Sequence, residues 1–217
     1  SLFITFGVAF SGVVVPRIYQ LVRENASQEL SELWLRVGRY QFYVVYFIWL
    51  GFLLFGKPFI VLWAGENYQD AYIVALLLML PLPIHLCQIL AIEVLRAYNR
   101  HRLWTLVHLA GSIIGFLICI PLTKEYGILG VSVGTSITLF IILNFYDNWY
   151  YAKYGQLNVL FFFRGVAKLL PAALLCALAG TVINELFSIE AWLDLLVVAV
   201  AYALAYIVIM YLIGLNE

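Results

Sequence analysis

His85, Gln88, Glu93 and Arg96 all lie in one apolar stretch, Tyr72 to Arg96 (YIVALLLMLPLPIHLCQILAIEVLR), just past Pro81-x-Pro83. Proline lacks an N–H and its ring collides with the preceding turn, so the pair predicts a kinked or interrupted helix, with Pro81 and Pro83 as hinge candidates. In hydrocarbon such a break is tolerable only where neighbouring helices or a wet cavity satisfy the freed carbonyls. Polar side chains just beyond it fit the wall of a transport path. They fit equally a kinked packing helix whose His and Gln bond to their neighbours.

His85 and Gln88 share a helical face at i, i+3, and Arg96 returns near that face about three turns later. Glu93 and Arg96 are spaced to pair with each other. His108, on the next apolar stretch, is placed to face His85 across a lumen. An imidazole there can hydrogen-bond phosphate or report protonation, or simply bond a serine on a neighbouring helix. Arg17, Arg23, Arg36 and Arg39 offer guanidinium groups that match phosphate in a two-pronged way, and they suit anionic lipid just as well. Arg17 and Arg39 flank spans directly, which makes them the functional candidates of the four.

Other chemistry is missing. The chain has no Ser-His-Asp pattern, HExxH, Walker loop or GxGxxG with a ribose-binding acid, so no catalytic residue is expected. A membrane-embedded glycosyltransferase or ligase needs a long exported loop carrying an acid or histidine base, and the loops here are tight turns. Cys87, Cys119 and Cys176 sit in apolar runs without a C-x-x-C, which reads as packing rather than a metal site or disulfide. A net charge of +0 gives no reason to expect nucleic acid.

The elements that position these residues are membrane spans. The chain is 65% hydrophobic and 11% charged, where soluble domains average about 45–50% and about 25%. This places it among all-α polytopic membrane helix bundles. The start at Ser1-Leu2-Phe3 has no Met and no basic segment, unlike a signal peptide. It predicts a chain entered mid-helix, with an N-terminal portion missing and Ser1 to Pro16 as a partial span. Arg17 to Tyr40 carries Ile18, Leu21, Val22, Leu30, Leu33, Trp34 and Val37 at helical spacing among charges, which predicts an amphipathic segment (17–40) lying on the membrane surface. Asn25 or Ser27 is placed to cap a second piece of it.

Complete spans follow at Gln41 to Gly56 (continuing to Gly65), the broken stretch from Ala71, Leu103 to Thr123, Tyr126 to Tyr146, Phe161 to Leu186 and Ala191 to Gly214. With the partial one they make about seven, and Asp147 to Asn158 reads as a polar, aromatic connection. Ten of the 12 Lys+Arg fall on the side of the 17–40 segment, leaving Lys57 and Lys124 opposite. That bias predicts a cytoplasmic C-terminus. It also discounts the glycosylation tripeptide at Asn25. Gly127, Gly130, Gly134 and Thr138 form a small-residue stripe for close helix packing, and His108, Ser112 and Gly115, with Gly111 alongside, form another. The last two spans are plainer and are expected at the periphery.

Three ordered motifs carry a resemblance. They are Pro16-Arg17-Ile18-Tyr19; the F-x-x-L-W-x-G-x-x-Y-x-x-A run at Phe59, Leu62, Trp63, Gly65, Tyr68 and Ala71; and G-x-x-G-x-x-x-G-T-S at Gly127, Gly130, Gly134, Thr135 and Ser136. Together with the topology, the chain resembles the polysaccharide-biosynthesis flippases of the MATE-like superfamily, which also holds multidrug/toxin exporters and lipid II flippases. The resemblance implies that residues 1–150 are the C-terminal lobe and 159–214 two additional helices. It implies alternating-access transfer of an undecaprenyl-pyrophosphate-linked oligosaccharide (an O-antigen, capsule or exopolysaccharide repeat unit) across the inner membrane. It further implies a missing N-terminal lobe as partner alongside membrane lipid, coupling to proton or sodium movement, and no other cofactor.

Overall fold

The computed structural model describes residues 11–187 and 189–214, and these are helical with no strand among them. Residues 1–10 of the expected partial span lie outside the described ones. The rest opens α1 (Ser11–Arg23), which runs through Pro16 without a break. The chain turns at Asn25, whose φ is 54°, and continues as α2 (Ser27–Ala64), a single helix of 38 residues. Neither Asn25 nor Ser27 caps it: Ala26 holds the N-cap position without a side-chain hydrogen bond.

At 1.5 Å per residue α2 is about 57 Å long, well beyond the roughly 30 Å hydrocarbon core. Residues 27–40 are continuous with the apolar residues that follow, in one unbroken helix. Their apolar stripe is covered by protein: Leu30 and Trp34 are each 1% exposed, and Trp34 stacks on Phe162 with ring centroids 4.3 Å apart. Helical spacing of apolar residues signals a buried face, and a lipid surface and a neighbouring helix produce the same spacing.

After a short 3₁₀ turn (Glu66–Tyr68) the Pro-containing stretch comes in three pieces, α3 (Ala71–Met79), α4 (Leu82–Cys87) and α5 (Leu90–Ala97). One break falls at Leu80-Pro81 and a second, not expected, at Gln88-Ile89. Next comes α6 (His101–Ile141), interrupted at Gly127 by φ 59° and ψ −136°, a conformation only glycine adopts easily. Gly127 thus reverses the chain instead of packing in a stripe. The two arms fold back on each other, with Cys119 Sγ 3.6 Å from Thr135 Oγ1. A methyl on Gly115 would sit 2.8 Å from Thr138 Cγ2, and one on Gly130 would overlap the Leu122 carbonyl. A π-helical turn (Ile142–Tyr146) leads directly into α7 (Asp147–Tyr154), so the expected connection is helical as far as Tyr154.

The remaining helices are α8 (Val159–Ala167), α9 (Leu170–Leu186) and α10 (Trp192–Ile209), ending in a π-helical turn (Met210–Gly214). They pack on α2: Tyr206 donates to the Tyr43 carbonyl at 2.8 Å and Tyr202 to the Phe47 carbonyl at 3.3 Å. Gly38 lets both neighbours approach α2, since a methyl there would meet the Phe162 ring and lie 2.9 Å from the Cys87 carbonyl oxygen. The order across the bundle is therefore hairpin, broken stretch, α2, then α8–α10, with the broken stretch in the middle.

By length and composition, three of the described helices can cross a membrane (Ser27–Ala64, His101–Tyr154 and Trp192–Leu212), or four if α8 and α9, bent by 41°, count as one span. The expectation of about seven spans differs for physical reasons. The 54-residue His101–Tyr154 member is a hairpin holding two expected spans, and the broken stretch comes in pieces of 9, 6 and 8 residues. The chain is an all-helical protein with several helices apolar enough for a membrane.

Candidate functional site

The break at Pro81 leaves carbonyls that the hairpin satisfies, and the break at Gln88 is tied to the hairpin through its side chain. Pro81 has no N–H to give the Leu77 carbonyl, and Ser136 Oγ on the returning arm donates to it instead. Two turns on, Asn144 Nδ2 donates to the Pro81 carbonyl at 3.2 Å. Asn148 Oδ1 accepts from Gln88 Nε2 at 2.8 Å, and the Gln88 carbonyl accepts from Trp34 Nε1 at 3.4 Å. A ladder of polar side chains thus joins the returning arm to the broken stretch and through it to α2.

Beside the ladder sits Asp147, with 0% of its surface exposed. His108 Nε2 lies 2.8 Å from its Oδ1, Trp104 Nε1 donates to the same oxygen at 2.7 Å, and Tyr151 donates to Oδ2 at 3.4 Å. His85 Nδ1 is 3.4 Å from Oδ2, without the alignment of a hydrogen bond. Three segments converge here: α4 brings His85, the outgoing arm Trp104 and His108, and α7 both Asp147 at its start and Tyr151 one turn on. The π-helical turn just before Asp147 is a local irregularity often found at functional sites.

No protein-family model, curated protein or solved structure matches the chain.

His85 and His108 do not face each other across a lumen; they share one carboxylate. Along α6 the cluster lies near the start of the helix. Trp104 and His108 lie in the first two turns of α6, about 10 Å from its start at 1.5 Å per residue, and Tyr150 beside them donates to the Arg100 carbonyl at 2.7 Å. Gln88 is fully buried and committed to Asn148 and Trp34. Arg96 pairs with Glu93 at 2.6 Å, and Arg17 with Glu29 at 3.3 Å, both on exposed surface. Arg39 is half-buried, and its Nε makes no hydrogen bond.

A cavity of about 700 Å³ lies elsewhere, between the hairpin arms, lined by Ser112, Gly115, Cys119, Thr123, Lys124, Thr135 and Thr138 among apolar residues. None of the substrate-path candidates named from the sequence lines it, though Ser112 and Gly115 of the expected packing stripe do. Among the described residues, no group of three or more His, Cys, Asp or Glu side chains is arranged to hold a metal ion.

The central residue, Asp147, escaped the sequence reading because it was assigned to a loop. The signal was present: Asn144, Asp147, Asn148 and Tyr151 recur at i, i+3, i+4 and i+7, a polar stripe that continues the helix.

Proposed function

We propose that the chain is the C-terminal lobe, with two additional helices, of a MATE-like transporter. In this reading it flips a polyprenyl-pyrophosphate-linked oligosaccharide from the cytoplasmic to the outer leaflet. The observation that carries the proposal is the broken middle stretch, whose carbonyls freed at Pro81 are held by side chains of the hairpin, which joins the rest mainly along that one seam. Interrupted helices at the heart of a bundle are a recurring device for rocking one helical group against another. Carrying a sugar pyrophosphate through hydrocarbon unaided is prohibitive, because its charges and polar groups would go unpaired. The basic residues support the orientation: Arg100 and the helix bearing Lys153 meet at one end of the bundle, where Ser31 Oγ also accepts from the Asn158 N–H at 3.2 Å. Under the positive-inside bias that end is cytoplasmic, and the inner membrane is the site of action.

One observation favours the drug-exporter branch of the same superfamily. An acid among aromatic rings, as Asp147 is between Trp104 and Tyr151, suits a cationic drug. Asp147 is closed off from solvent, however, and lines no open pocket.

The test is genetic. Cells lacking the protein should lose surface polysaccharide and accumulate undecaprenyl-linked repeat units, and re-expression should restore export. Normal polysaccharide in its absence, with altered drug tolerance, would move the assignment to the exporter branch.

A further inference from the structure

We propose that Asp147, His85 and His108 form a proton-binding clasp, in which one shared proton fastens both arms of the hairpin to the broken stretch. The inference begins from charge. Asp147 is fully buried, and its charged partners among the described residues are the two histidines, with no Arg or Lys. Trp104 and Tyr151 donate hydrogen bonds to it but cancel no charge. A buried carboxylate without a compensating charge is strongly unfavourable. With one proton among the three groups the cluster is neutral, with none it is an anion, and with two it is a cation. The low-dielectric surroundings favour the neutral form.

Among the described residues, no other charged side chain forms an ion pair with the cluster. On α5, Glu93 and Arg96 hold each other at the surface. Just before α6, Arg100 lies 5.8 Å from the Tyr154 ring centroid, and at its first residue the buried Nδ1 of His101 makes no hydrogen bond. On the π-helical turn, the Tyr146 ring is 6.4 Å from that of His108. On α7, Tyr150 bonds the Arg100 carbonyl and Lys153 lies over Trp149. On α4, buried Cys87 follows His85 by two residues, and α2 presents the uncharged Trp34 to Tyr151.

The geometry also supplies a moving part. His85 stands on α4, six residues long, with a break on either side at Pro81 and at Gln88. Its Nδ1 lies close to Oδ2 yet is not aligned with it, so a small shift of α4 makes or breaks the bond. A proton on that nitrogen turns the contact into a charge-assisted hydrogen bond; its loss leaves a bare carboxylate between the segments and weakens the tie. The clasp rests on the transporter reading only for its use, because proton binding needs no substrate.

The experiment is imidazole NMR of ¹⁵N-histidine-labelled protein in nanodiscs, titrated from about pH 5 to about pH 9, the range that brackets ordinary imidazole protonation. The chain has 3 histidines, and His101 serves as reference. The resonances of His85 and His108 should follow one shared two-step curve. Asp147→Asn should separate the two curves and weaken proton binding at both about tenfold or more, the scale of one lost close charge partner, while His101 stays put. Should that variant not fold, His85→Gln decides: His108 must then titrate in a single step. Independent curves in the unaltered protein, or a His108 curve unmoved by His85→Gln, would overturn the clasp. Neither result bears on transport, and failure of transport would leave the titration standing.

Discussion

His108 Nε2 and Asp147 Oδ1 are 2.8 Å apart although 39 residues separate them in the chain. The contact closes the base of the hairpin, while Gly127 turns its tip. Replacing Asp147 by Ala deprives His108, Trp104 and Tyr151 of their acceptor in a buried site. Breaking a buried ionic network from one side costs about 3–5 kcal/mol. Thermal unfolding in detergent should therefore show Asp147→Ala as far less stable than Glu93→Ala, whose Arg96 partner is exposed.

Ser136 matters because of Pro81. Ser136→Ala leaves the Leu77 carbonyl without a donor and should destabilise by about 1 kcal/mol, on the scale of interhelical hydrogen bonds in membranes. In a Pro81→Ala background the backbone N–H returns, and Ser136→Ala should then be close to neutral. Equal effects in the two backgrounds of this double-mutant cycle would remove the link between the two residues.

The two hairpin glycines should respond differently. Gly130→Ala drives a methyl into the Leu122 carbonyl, so the arms must part. Gly127→Ala meets nothing within 4 Å and suffers only backbone strain, about 1–3 kcal/mol. Disulfide trapping between cysteines placed at 115 and 138 should fall in Gly130→Ala and persist in Gly127→Ala.

Much of the fold is legible in the sequence because hydrophobic runs and prolines report single-helix properties. The Pro81 break and the two apolar arms on either side of Gly127 follow from local chemistry. What a helical stripe packs against is not local, which is why the Leu30–Trp34–Val37 face reads as a membrane surface although Phe162 covers Trp34. The site was half legible. His85, Gln88 and His108 stand out as polar groups in apolar runs, but their shared partner lies in the segment just after a π-helical turn, where the apolar pattern stops and the helix does not.

Trp34 and Trp63 test that burial. Trp34 is 1% exposed and Trp63 is 72% exposed. In bilayers carrying spin-labelled lipids, single-tryptophan variants should show strong quenching of Trp63 and little of Trp34 at any label depth. Strong quenching of Trp34 by interfacial labels would place residues 27–40 on the membrane surface after all.

Reconstitution of the intact protein into vesicles bearing a fluorescent polyprenyl-pyrophosphate oligosaccharide tests the transporter reading most directly, with leaflet exchange followed by a membrane-impermeant quencher. Protein-containing vesicles should expose the inner-leaflet label faster than empty ones, and Asp147→Asn should slow that exchange. Exchange no faster than in protein-free vesicles, from protein whose fold is intact, would contradict it.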